Sequence, residues 1–126
     1  MTASAPIPIT FRILIARRAD GDSLLLVNQS EMEQEFPLGP IRLQADKESL
    51  SGSEWGVAVL KRGECVIALK GGGKPRLPDL QCRQVGPSVT RDGKRAFWGS
   101  EFQVYYREKL LGSCKSEECK FDVAGQ

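Results

Sequence analysis

The sequence predicts an all-β fold, a single-domain antiparallel β-sandwich or small β-barrel of about seven strands. Three observations carry this. Ile7, Ile9, Phe11, Ile13 and Ile15 occupy every second position, the period of a strand with one buried face. Glycine, proline and aspartate recur between short apolar runs, as turns between strands require. No segment sustains the 3.6-residue periodicity of a helix of about ten residues or more.

In chain order, residues 7–28 read as a β-hairpin: the alternating run, the turn Ala19-Asp20-Gly21-Asp22-Ser23, then Leu24-Leu25-Leu26-Val27 returning. Thr10, Arg12 and Arg18 take the parity opposite the isoleucines. Residues 29–54 read mostly as loop. Ser30 and Glu33 fit a helix capping box, but Pro37, Gly39 and Pro40 stop any helix within two turns. A short strand is expected at 41–44 and a single turn at 46–50. Trp55–Leu60 and Glu64–Lys70 are apolar on both parities, so they read as central strands, joined in a hairpin by Lys61-Arg62-Gly63.

Residues 71–87 hold three prolines and four glycines, which exclude a helix and argue against a central strand; a long loop is expected. Ser88–Arg91 and Lys94–Trp98 flank Asp92-Gly93, a strong hairpin signal. The last strand spans 101–111, with Phe102, Val104 and Tyr106 inward and Gln103, Tyr105, Arg107 and Lys109 outward. Segments 1–6 and 114–126 are expected as flexible tails of the one domain, 1–126.

With 126 residues, 40% hydrophobic and 27% charged, the chain suits one soluble domain with a core of its own. It contains no histidine, which removes Ser-His-Asp and Cys-His catalysis, histidine metal ligation and histidine pH switching. The formal charge is +2, but unevenly spread: residues 1–56 have 5 basic and 8 acidic side chains, and residues 57–113 have 11 and 5. That dipolar arrangement favours an anionic partner on one side. The N-terminal residues have no basic stretch followed by an apolar run, and nothing approaches about 18 consecutive apolar residues. The expectation is therefore a cytoplasmic or nuclear address, without membrane, and with Cys65, Cys82, Cys114 and Cys119 as free thiols.

Two clusters could carry binding. Lys70, Gly72, Lys74 and Arg76 lie in a glycine-rich run whose amides could turn to an anion. Its spacing is not that of a phosphate-binding P-loop, and a solvated hairpin tip is the competing reading. Arg91, Lys94 and Arg95, with Trp98, Tyr105 and Arg107, interleave cations and aromatics as single-stranded nucleic-acid platforms do; packing of those aromatics competes. The four cysteines could together hold tetrahedral zinc, although no C-x2-C knuckle is present, and a local 114–119 disulfide is the other option. Glu31, Glu33 and Glu35 read as solvated carboxylates rather than an acid–base pair.

The leading reading is a non-enzymatic binding or adaptor module mediating protein–protein interaction through strand edges and the 71–87 loop. Single-stranded nucleic-acid binding by the basic second half is the alternative, and a small enzyme with histidine-independent chemistry comes third. No cofactor is implied, and the oligomeric state is open.

Overall fold

Apolar side chains on both parities of neighbouring strands demand cover on both faces of a sheet. The computed structural model of the chain, which describes residues 10–17, 23–31, 33–45, 48–70, 82–86, 89–91, 98 and 101–124, meets that demand in an all-β fold. Its strands are β1 (Thr10–Arg17), β2 (Ser23–Asn28), β3 (Phe36–Pro37), β4 (Ile41–Ala45), β5 (Glu48–Ser51), β6 (Val59–Leu60), β7 (Glu64–Lys70), β8 (Arg83–Gln84), β9 (Val89–Arg91), β10 (Phe102–Tyr106), β11 (Lys109–Cys114) and β12 (Glu118–Ala124). A 3-10 turn, Gly52–Trp55, lies between β5 and β6.

Among the described residues the strands form a six-stranded sheet ordered β12-β1-β2-β7-β8, with β9 also on β7, a four-stranded sheet ordered β11-β10-β4-β5, and the pair β3-β6. The main core lies between the two large sheets. Phe11, Ile13, Ile15, Leu24, Leu26, Val66 and Ala68 meet Ile41, Leu43, Leu50, Phe102, Val104 and Tyr106, with Trp55 and Trp98 filling the interior. Each leucine so buried is worth roughly 1.5–3 kcal/mol of transfer free energy. The sheets pack as layers and do not close into a barrel.

The expected hairpin of β1 and β2 is present, with Ile15 opposite Leu26. Its polar face is smaller than the alternation implied. Thr10 and Arg12 are exposed, but Leu14 and Ala16 join Leu25, Val27, Cys65 and Ile67 in a second buried cluster on the other side of the sheet.

Several expectations are corrected. Of the expected 46–50 turn, residues 48–50 lie in β5, because Leu50 pairs opposite Leu43 and both are fully buried, and 46–47 fall outside the described residues. Ser30 starts no helix; its hydroxyl bonds Asn28 Oδ1 and accepts from Arg12 N. The 55–60 segment does not pair with β7: β6 pairs with β3 instead, and Leu38 N donates to Ala58 O at 2.9 Å. Gly63, at φ 84°, breaks the extended run and donates to Asn28 O, which turns the chain away from a hairpin.

The sheet is not purely antiparallel. β8 and β9 both run parallel to β7, Arg83 beside Glu64 and Thr90 beside Leu69. β8 lies within the expected 71–87 loop, whose residues 71–81 fall outside the described set, as do 1–6 and the turn and return strand at 92–97.

The expected strand 101–111 is a hairpin, β10 to β11, because Arg107 and Glu108 take φ of 51° and 65°. Two successive positive φ values make the tight turn that suits strand twist. The expected C-terminal tail contains β12, an edge strand with Val123 opposite Phe11 and buried. Short strands and this split raise the number beyond the seven expected. At the 3-10 turn the backbones of Gly52 and Leu38 touch; a Cβ on Gly52 would sit 1.6 Å from Leu38 O.

Candidate functional site

The outward face of the four-stranded sheet carries a row of aromatic, cationic and exposed apolar side chains. Inward packing of Phe102, Val104 and Tyr106 turns Gln103 and Tyr105 outward. Cross-strand register then aligns two rows. Leu110, Tyr105, Arg42 and Ser51 form one, and Ser113, Gln103, Gln44 and Ser49 the other. A β-bulge between Val104 and Tyr105 shifts the β11 register. The extra residue is Leu111, which packs on the core, while Leu110 swings out and is 58% exposed.

Tyr105 is half-buried, and the Arg42 guanidinium carbon lies 4.4 Å from its ring centre. Arg42 Nη1 also pairs with Glu108 Oε2 at 3.2 Å. The ring face and the carboxylate thus hold the guanidinium from two sides. Arg107 is exposed at the turn, held by its N–H on Pro40 O at 3.1 Å and lying 5.6 Å from the Tyr106 ring.

Of the expected aromatic–cation platform, Tyr105 and Arg107 are therefore at the surface. Trp98 is not: it is fully buried in the main core and offers no face to a base. Its carbonyl accepts from Arg17 Nη1 at 2.8 Å. Arg17 is itself buried, which pushes its pKa below the ordinary value, while Glu117 opposes that shift. Gly72, Lys74, Arg76, Lys94 and Arg95 lie outside the described residues, and of Lys70 and Arg91 only the strand positions in β7 and β9 are described.

The free-thiol and zinc expectations for the cysteines are corrected, while the local 114–119 disulfide is present. Cys65 pairs with Cys82 and Cys114 with Cys119, leaving no free thiol and no zinc-binding set. β8 alongside β7 brings Cys82 to Cys65, and the turn into β12 brings Cys119 to Cys114. Among the described residues no group of three or more cysteine, aspartate or glutamate side chains could hold a metal ion.

Compared with family models, curated proteins and solved structures, the chain matches none. No described helix is long and apolar enough to cross a membrane.

Two features escaped the sequence reading. Arg42, expected only as part of a short strand, becomes the neighbour of Tyr105 through the β4–β10 pairing, which joins residues half the chain length apart. Glu64 is buried and ion-paired with Arg83 of β8, and its Oε1 accepts from Lys61 N at 2.8 Å. That backbone N–H holds its carboxyl below the ordinary glutamate value; burial opposes the shift and Arg83 reinforces it. Glu64 opens a strand whose next residues, Cys65 to Leu69, are all apolar, and that was the one available signal.

Proposed function

We propose that the chain is a non-enzymatic binding module that engages another protein through the outward face of its four-stranded sheet. The observation that carries this reading is the row Leu110–Tyr105–Arg42. Tyrosine and arginine are the residue types that most often dominate protein–protein binding energy. The adjoining exposed leucine adds apolar area, and Glu108, Arg107 and Lys109 provide a charged rim. Contact with the Tyr105 ring and Glu108 restricts the Arg42 side chain before docking, which lowers the entropy lost on binding.

The two disulfides favour an oxidising compartment over the cytoplasm or nucleus expected from sequence, since reducing compartments keep such thiols apart. The nucleic-acid alternative loses Trp98 as a stacking surface, and Arg42 is already committed to Glu108.

A photo-crosslinking residue at position 110 tests the proposal in the native extract, with position 118 on the other sheet as control. The expected result is one discrete adduct at 110, resistant to nuclease, sensitive to protease and lost with Tyr105→Ala. An adduct destroyed by nuclease, or equal labelling at 118, overturns it.

A further inference from the structure

A polar cleft of about 470 Å³, lined by Glu33, Gln34, Glu35, Lys61, Arg62 and Arg83, opens beside the start of β7. It shares no residue with the sheet face, so an inference about it stands or falls independently of the proposal above. Its construction is specific. Arg83 has a side chain 75% exposed, yet its guanidinium is fixed at one end by Glu64, whose side chain is only 10% exposed. Glu64 is in turn fixed by the Lys61 backbone N–H. A nearly buried carboxylate thus aims an accessible guanidinium, with most of its five donors still to be used.

Arg62 ties the two walls together. Its Nη1 donates to Glu31 O at 3.0 Å, and its Nη2 lies 3.6 Å from Glu33 Oε1. The wall carrying Glu33 and Glu35 is anchored from below, where Asn28 Nδ2 donates to Gln34 O at 3.0 Å. The cations therefore come from the turn before β7 and from β8 and the carboxylates from residues 33–35, with Arg62 and Glu33 paired across the cleft.

That division selects among ligands. A polyanion such as a phosphorylated chain would meet Glu33 and Glu35, and a polycation would meet Lys61, Arg62 and Arg83; each suffers like-charge repulsion. A planar carboxylate matches the guanidinium fork of Arg83, and an ammonium group matches the glutamates. We propose that this cleft binds a peptide segment of mixed charge, its acidic side chain on Arg83 and Lys61 and its basic side chain on Glu33 and Glu35.

The probe is a fluorescein-labelled, capped hexapeptide with aspartate and lysine two positions apart, which places them on one side of an extended chain. Anisotropy titrations of the full chain at low salt should saturate. Lys61→Gln and Glu33→Gln should each weaken binding about tenfold, the scale of losing one charged hydrogen bond. Arg83→Lys, which keeps the charge beside Glu64 but removes the fork, should weaken it similarly with an unchanged melting temperature. Neutralising either charge of the peptide should have the same effect, and inorganic phosphate should not compete. Absence of saturation, wild-type affinity in either Lys61→Gln or Glu33→Gln, or displacement of the peptide by phosphate would overturn the proposal.

Discussion

The Arg42 guanidinium carbon stands 4.4 Å above the Tyr105 ring, on neighbouring strands whose residues are directly opposed. The two residues lie 63 positions apart in a chain of 126, so only the β4–β10 pairing brings them together. A cation–ring contact at a partly exposed site is worth about 0.5–1 kcal/mol. A double-mutant cycle with Arg42→Met and Tyr105→Leu, read by urea denaturation, should return a coupling of that size. Strictly additive losses would mean that the stack contributes nothing to the rigidity of this face.

Asn28 is a denser junction. Its amide donates to Gln34 O at 3.0 Å and Leu60 O at 2.8 Å, while its Oδ1 accepts from Ser30 N at 3.0 Å and from the Ser30 hydroxyl. Replacement leaves buried carbonyls without donors, which costs about 1–3 kcal/mol for each group. Asn28→Asp should destabilise the fold by about 3 kcal/mol at neutral pH, since a carboxylate oxygen would face two carbonyls. Ser30→Ala should cost only about 1 kcal/mol. Equal denaturation midpoints for the two variants would remove Asn28 from that role.

These two cases show where the sequence was legible. The alternation at Phe11, Ile13 and Ile15 marks the buried face of β1, although the expected turn at 19–22 lies outside the described residues, and alternation on residues 102–106 correctly assigns Phe102, Val104 and Tyr106 to the core and Tyr105 to the surface. Such patterns are local, and burial acts on each strand separately. Pairing partners are not local. Nothing in Val59–Leu60 signals β3 rather than β7, and nothing in Arg107-Glu108 advertises a turn that glycine or asparagine would normally mark. Glutamate and lysine around β12 look like a tail until Val123 is seen opposite Phe11. The expectation of free thiols failed because it came from the presumed compartment, whereas the pairing comes from strand adjacency.

The disulfides make a graded prediction. Cys65–Cys82 spans a sequence separation of 17 and Cys114–Cys119 one of 5. Loop-closure entropy then assigns about 3 kcal/mol to the first and about 2 kcal/mol to the second. Replacing each pair by serine should lower the denaturation midpoint in that order. Thiol titration of the unfolded, unreduced chain should find none of its four cysteines reactive. Reactive thiols in protein purified without reductant would contradict both the pairing and the oxidising address.

Glu64 gives the pH dependence its sign. In the fold its carboxyl is held below the ordinary value, first by the Lys61 N–H and further by Arg83, against the opposing effect of burial. The unfolded chain therefore takes up the proton at a higher pH than the folded chain does. The stabilisation is complete above the ordinary glutamate value and drains away as pH falls through the depressed folded value. Glu64→Gln keeps an acceptor for Lys61 N–H but cannot carry the charge that Arg83 meets. Urea midpoints of wild type and Glu64→Gln should differ most near neutrality and converge in acid, where protonated Glu64 resembles glutamine. A gap that stays constant from neutral to acid pH would show that Glu64 acts by shape and hydrogen bonding, with no electrostatic share.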